Sequence, residues 1–324
     1  MQMSRRRFLT LASGGVVASV PQVGRTQAYP ARPINLVVFM PPGGSPDLVA
    51  RVIAEALSPR LGQPVVIDNR PGAGGNLALQ AVARAPANGY TLLLLATPHA
   101  ANLIPKEKRD VDLLKDIVPV ASINYDPFAL MVNASSPIKT VAEFVAHAKA
   151  NPGKLNMASS GTGNLSHLAG ELFRMMTGIQ TVHVPYRGAP AANTSLVTGE
   201  THVLFNALPS LMPLLKEGRL RALGVTTAKR LKSLPEIPTV AETVPGYSVT
   251  GWLGLGAPRG TPPEVLDRLN REVNSVLADG AVLARLASLG SEPFIGSPAD
   301  FGKFLADETE KWDKVIKFAD IKPE

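Results

Sequence analysis

Apolar residues in this chain fall into short continuous runs that alternate with segments of helical spacing. Ile34–Met40 (INLVVFM) has almost no polar interruption, the mark of a strand covered on both faces. It ends at Pro41-Pro42-Gly43-Gly44. Ser45 then reads as an N-cap, Pro46 suits the first helical position and Asp47 favours the helix dipole. Apolar residues at 48/49, 52/53 and 56/57 make one helix face. Val65–Ile67 is a second strand, followed by Asn69-Arg70-Pro71-Gly72-Ala73-Gly74-Gly75-Asn76 and a helix to about Ala85. Tyr90–Ala96 (YTLLLLA) is a third, ending at Thr97-Pro98-His99. Val118–Asn124 and Phe128–Val132 read as two strand pieces split by Tyr125-Asp126-Pro127. Thr140 with Glu143 has capping-box spacing, as has Thr261 with Glu264. Strands recur at 155–158, 182–185, 202–206 and 221–226, with helices between them. Ser297-Pro298-Ala299-Asp300 opens the last helix, on which Phe301, Phe304, Leu305, Trp312 and Ile316 form a docking face.

Strand, glycine-rich turn, helix, repeated, predicts mainly parallel sheets flanked by helices. The series runs twice, so an α/β chain with two lobes is expected. Tyr125-Asp126-Pro127 marks the first crossing between lobes and Val249–Gly256 (VTGWLGLG) the return. That gives a discontinuous first lobe, 29–125 plus 252–324, and a second lobe, 126–251. A ligand cleft then lies between the lobes at the carboxyl ends of strands.

The chemistry concentrates in residues 157–188. Ser159, Ser160, Gly161, Thr162, Gly163 and Asn164 form a small polar loop between a strand and a helix. Backbone N–H groups there point outward with the positive end of the helix dipole, which suits an anion. Pro42–Asp47 repeats the construction, and two such helix starts facing one cleft suit a ligand with one or two carboxylates. Arg187, after Pro185-Tyr186 at a strand end, is the best cationic candidate, because its fork can bind a carboxylate bidentately. The alternative for Arg187 is a salt bridge on the lobe rim. His167 lies one turn inside its helix, where packing or capping is the commoner role. Ser166 and His167 diverge by roughly 100° on a helix and cannot work as a pair. No G-x-S-x-G elbow occurs. The histidines show no metal spacing, and Gly72–Gly75 lacks a full dinucleotide fingerprint, so that loop reads as a tight turn with close helix approach. No catalytic group, metal or cofactor is expected.

The first 28 residues change the charge picture. Ser4-Arg5-Arg6-Arg7-Phe8-Leu9-Thr10 matches the twin-arginine export pattern, with Thr10 where lysine is common. About 12 weakly apolar residues follow, too few to span a bilayer, and Thr26-Gln27-Ala28 predicts cleavage after Ala28. Sec export or a retained anchor is the alternative. Of 33 basic residues four lie in this leader, and none of the 26 acidic ones does; the mature chain would carry 29 against 26, net +3 rather than +7. The basic balance is therefore no argument for nucleic acid, and no aromatic-plus-basic module appears. With no cysteine in the chain, disulfides, thiolate metal sites and a lipid-modified cysteine are excluded. A length of 324 residues supports two domains with their own cores.

IDNRPGAGGN (67–76), SSGTGNLSHLAGELF (159–173), HVPYRG (183–188) and LVTGETHVLFNALPSLMPLLKEGRLRALGVTT (196–227) together resemble the extracytoplasmic solute-binding receptors of tripartite tricarboxylate transporters, also called Bug proteins. The resemblance runs from about Pro30 to Lys317. It implies a two-lobe periplasmic binding protein-like fold that traps a small organic acid between the lobes and delivers it to membrane permease subunits. It also implies a ligand-binding set: Pro42, Gly43, Gly44, Ser45 and Asp47 with Thr97 and His99 from the first lobe. From the second come Ser159, Ser160, Gly161, Thr162, Gly163, Asn164 and His167, with Tyr186, Arg187 and Asn206 on the far wall. Three positions depart from the family pattern. Ser45-Pro46 replaces glycine and threonine, Asn164 replaces serine, and Asn206 replaces aspartate. An uncharged residue at 206 shifts the expected ligand from an amino acid toward a purely anionic or neutral-tailed acid. The expected function is a periplasmic receptor for a carboxylate, acting as a monomer without turnover. A sensor for a membrane signalling partner and, less well supported, a periplasmic hydrolase or transferase are the alternatives.

Overall fold

The computed structural model describes residues 29–104 and 109–322; the expected export leader and its cleavage site lie outside the described residues. Chain order is β1 (Ile34–Val38), α1 (Ser45–Leu61), β2 (Val65–Asn69), α2 (Asn76–Ala83), β3 (Thr91–Ala96) and the short α3 (Thr97–Ala100) and α4 (Leu113–Asp116). The long β4 (Ile117–Asn133) leads to α5 (Val141–Ala150), β5 (Leu155–Ser159), α6 (Leu165–Thr177), β6 (Thr181–Pro185), α7 (Ala189–Thr198), β7 (Val203–Ala207), α8 (Leu208–Lys216) and β8 (Leu220–Val225). Last come β9 (Thr250–Pro258), α9 (Pro263–Leu277), α10 (Gly280–Ser288), the two-residue β10 (Glu292–Pro293) and α11 (Pro298–Ala319).

The strands form one curled mixed sheet in the order β2-β1-β3-β9-β4-β7-β5-β6, with β8 and β10 also paired to β4. Its outer parts are parallel, β2-β1-β3 at one end and β7-β5-β6 at the other. Its middle is antiparallel, through β9 and β4. The two strand pieces expected on either side of Tyr125-Asp126-Pro127 are one strand. Tyr125, Asp126 and Pro127 stay extended because they pair with Trp252, Gly251 and Thr250 of β9. Beyond them, from Phe128, β4 changes partners to β7 and β8. Pro127 has no N–H to offer a ladder and sits where the pairing is handed over.

Two helix starts differ from the expected ones. Gly44, in extended conformation, precedes α1, so Ser45 is its first residue and caps nothing through its side chain. The Asp47 carboxylate reaches back to accept from the Gly43 N–H at 2.8 Å, which holds the turn before the helix. Pro262 rather than Thr261 precedes α9; the Thr261 hydroxyl donates to the Pro258 carbonyl instead. Thr140 and Ser297 do cap α5 and α11.

The runs INLVV and TLLLLA are buried on both faces, as their lack of polar interruption predicts. Along α11, Phe301, Leu305 and Trp312 are buried, with Phe304 and Ile316 at the edge of the same core. The Glu308 carboxylate on that helix accepts from both indole N–H groups, Trp252 at 3.2 Å and Trp312 at 2.8 Å, and pairs with Lys311. This satisfies a buried charge that would otherwise be costly. The same helix also packs against α6. The Lys311 ammonium donates to the Ser248 carbonyl, and the nearby Tyr247 hydroxyl donates to the Ala169 carbonyl of α6.

Candidate ligand cleft

Parallel pairing decides where the loops go. Because β1, β2 and β3 run the same way, loops 41–45, 70–76 and 97–104 leave from one edge. For the same reason 159–164, 186–188 and the end of β7 leave together from the edge of β5, β6 and β7. A cavity of about 490 Å³ joins the two edges. Ala73, Gly74, Asn76, Pro98 and Ala101–Ile104 wall one side; Thr162, Gly163 and Asn164 wall the other.

The second wall is built around the start of α6. Asn164 caps the helix by accepting from the His167 N–H, and its side-chain amide donates to the Ser160 hydroxyl at 2.9 Å. Ser166 and His167 each hold a different part of the loop. The Ser166 hydroxyl accepts from the Ser160 N–H at 2.7 Å, and His167 Nδ1 accepts from the Gly163 N–H at 3.0 Å. With those amides used internally, the N–H groups of Thr162, Leu165 and Ser166 make no hydrogen bond among the described residues. They are the donors left at the positive end of the α6 dipole.

Beneath the loop lies a buried polar chain. His167 stacks on His183 with ring centroids 3.6 Å apart, and His183 Nε2 lies 2.6 Å from the Ser159 hydroxyl. His167 Nε2 faces the Glu171 carboxylate at 3.6 Å, and Arg174 closes the chain on Glu171 at 2.7 Å. Burial pushes the His183 ring down to about 4, helped by the neighbouring His167. Burial alone would raise the Glu171 carboxyl, but its bonds from His167 and Arg174 hold it below the usual range. Thus Ser159 and His167 support the loop from below and do not border the cavity.

The first wall rests on His99. Its ring is buried edge-on against Phe39, and its Nδ1 accepts from the Ala96 N–H at 3.1 Å. Burial drives it down to about 4, so it is neutral. Gly75, at φ +94, lies directly on this ring; a Cβ there would come within 2.9 Å of Nε2. Here the glycine run makes the close approach its composition suggested. It also carries Ala73, Gly74 and Asn76 into the cavity, a contact that reading it only as a turn missed. Asn76 and Asn102 are joined by a 2.7 Å side-chain hydrogen bond, tying the two parts of this wall together. The motif IDNRPGAGGN was the signal that could have found it.

The remaining expected residues divide. Pro42, Gly43 and Ser45 are exposed and Gly44 half-buried, at the same edge but outside the cavity lining. The Asp47 carboxylate is fully buried and held by Gly43, Asn69 and both arms of Arg51. Those bonds hold it low despite burial, and it organises the loop rather than facing the cleft. Buried Thr97 starts α3. The Tyr186 and Gly188 amides donate to the Ser159 and Ser160 carbonyls, which brings Tyr186 and Arg187 alongside Gly161. Arg187 is exposed and makes no hydrogen bond or ion pair among the described residues; the rim salt bridge is not formed. Asn206 is buried, donating to the Asn193 side chain at 3.0 Å and accepting from its neighbour Ala207 at 2.9 Å.

Comparison with known proteins agrees with this arrangement. The model of the tripartite tricarboxylate transporter family receptor matches residues 49–321. The chain belongs to this family. The receptor is 36% identical over 310 residues to the protein BugT of Bordetella pertussis, covering 95% of this chain and 94% of that one. Among solved structures it is similar to Rpa4515 of R. palustris with adipate, at 40% identity and TM-score 0.74, covering 91% of this chain and all of that one. A TctC solute binding protein from Polaromonas superposes at TM-score 0.82 with 29% identity, over 89% and 99% of the two chains. The receptor therefore has the two-lobe solute-binding fold, and receptors of its family are periplasmic and bind carboxylates. No helix among the described residues is long and apolar enough to cross a membrane.

Proposed function

We propose that this receptor captures an aliphatic dicarboxylate in the cavity between residues 73–104 and 162–164. The carrying observation is the asymmetry of that cavity. One wall is mainly apolar, from Ala73, Pro98, Ala101, Leu103 and Ile104, with the polar Asn76 and Asn102 tied to each other, and the other offers amides at the start of α6. Among the lining residues no side chain is charged. A carboxylate would meet the Thr162 and Leu165 N–H groups, and a hydrocarbon chain would lie along Leu103 and Ile104. The adipate held by a relative at 40% identity fits that division.

The lobes are 29–125 plus 252–324 and 126–251, hinged where β4 and β9 cross. Closure would bring Pro42–Ser45 and Tyr186-Arg187 toward the occupant from the two sheet edges. The receptor acts as an exported monomer, passes its ligand to membrane permease subunits and performs no turnover. Titration with dicarboxylates from succinate to suberate tests this reading. A ligand at 100 times its Kd would add about 2.7 kcal/mol of stability. That is a melting shift of several degrees at roughly 2–4 °C per kcal/mol. One site per chain, with ligand recovered unchanged, is expected. Absence of heat and of any melting shift across that series would defeat it.

A further inference from the structure

A second cavity, of about 510 Å³, lies beside the β4–β9 crossing and shares no lining residue with the cleft. Three partly exposed aromatic rings form one wall. Tyr125 meets Phe294 edge-on at 6.3 Å, and Phe294 meets Phe304 edge-on at 5.1 Å. The loop Thr227–Lys232, which carries Lys229, Arg230 and Lys232, also lines the cavity. This loop is tied to both crossing strands' neighbourhoods, since the Thr226 hydroxyl donates toward the Phe128 and Val249 carbonyls at 3.0 and 2.5 Å. Ser248 and Thr250 line the base.

The charges are not equivalent. Arg230 is engaged bidentately by Glu242 at 2.7 and 2.6 Å and is not available. Lys229 and Lys232 make no ion pair among the described residues. Glu292, also on the lining, accepts from the Tyr125 hydroxyl at 2.7 Å and presents negative charge to the same cavity. An aromatic wall of edge-on rings, two lysines without an ion pair among the described residues and one carboxylate select the chemistry of a ligand. The geometry points to a second small-molecule site here, for an aromatic carboxylate carrying a single negative charge. Its ring would pack against Phe294 and Phe304, its carboxylate would meet Lys229 and Lys232, and Glu292 would disfavour a second anionic group. The walls come from segments on both sides of the strand crossing, so the site is separate from the cleft yet adjacent to its hinge.

Fluorine NMR with 4-fluorobenzoate tests the site in the full mature receptor. Saturable binding is expected, weakened about tenfold in the double variant Lys229→Ala, Lys232→Ala, as for loss of charged hydrogen bonds. Glu292→Gln keeps an acceptor for Tyr125 and removes the repulsion, so it should tighten binding a few-fold. Gly163→Val, which obstructs the cleft, should leave 4-fluorobenzoate binding as it was. The proposal is overturned if 4-fluorobenzoate does not bind, if the lysine variant binds it as well as the parent, or if Gly163→Val abolishes binding. The last outcome would place the aromatic acid in the cleft alone.

Discussion

Leu103 from one wall of the cleft rests against Gly163 from the other: a Cβ at position 163 would lie 2.4 Å from Leu103 Cδ1. Gly163 also sits at φ +74, where a side chain is strained whatever the space. The contact fixes how closely the two walls approach. Gly163→Val should therefore cost binding as well as folding. We expect dicarboxylate affinity, measured calorimetrically with adipate, to fall by at least about tenfold, while the strained conformation costs about 1–2 kcal/mol of stability. Leu103→Ala removes the obstacle; combined with Gly163→Val it should recover part of the affinity. A double variant no better than Gly163→Val alone would show that the two residues do not meet during binding.

Asp47 was expected in the ligand set, yet its carboxylate is surrounded by Gly43, Arg51 and Asn69. Asp47→Ala would leave the Gly43 amide without its acceptor and remove one of two bonds from the Asn69 side chain, whose other acceptor is the Met40 carbonyl. A loss of about 2–3 kcal/mol is expected in urea unfolding. Asp47→Asn keeps one acceptor oxygen and should lose less. Equal stability of Asp47→Ala and the parent would mean the loop needs no such anchor.

These two residues show what could be read without coordinates and what could not. Periodicity placed β1, β3, α1 and α11, because a strand buried on both faces and a helix with one apolar stripe each leave a strong pattern. It split β4 at Tyr125-Asp126-Pro127, because a proline inside an apolar run looks like a break until a partner strand is known to hold it extended. The polar loop at 159–164 was legible from its composition. Whether Ser159 or His167 faces a ligand or supports the loop was not, because that depends on His183 and Glu171, which belong to other turns and strands. Asn206 shows the same limit. Its partner Asn193 lies on a separate helix, and only the tertiary structure shows its amide engaged there.

Arg187 is the opposite case to Asp47. It is exposed, beside the Gly161 loop, and without a partner among the described residues. Arg187→Ala should leave unfolding stability within about 0.5 kcal/mol of the parent. A loss of about tenfold or more in adipate affinity is expected if the fork reaches the second carboxylate on closure. Arg187→Lys retains charge without the bidentate geometry and should fall between the two. Wild-type affinity in Arg187→Ala would remove the residue from the site.

The two buried imidazoles predict how the receptor responds to acid. His99 and His183 are both held down at about 4, from an ordinary value near 6.5, mainly by burial. The folded state thus favours their neutral forms. Below about pH 6.5 the unfolded chain takes up protons that the folded chain refuses, so stability falls as pH drops toward 4 and this contribution is gone below that. It is fully present above pH 6.5. For fully buried His99 the effect is on the order of 3 kcal/mol across the window. The partly buried His183 contributes less. Urea midpoints at about pH 7, 5.5 and 4.5 should decline steadily. His99→Asn keeps an acceptor for the Ala96 amide and removes one titrating ring, so its midpoints should start lower and decline less steeply. The same slope in His99→Asn as in the parent would show that this ring is not what the acid unfolds.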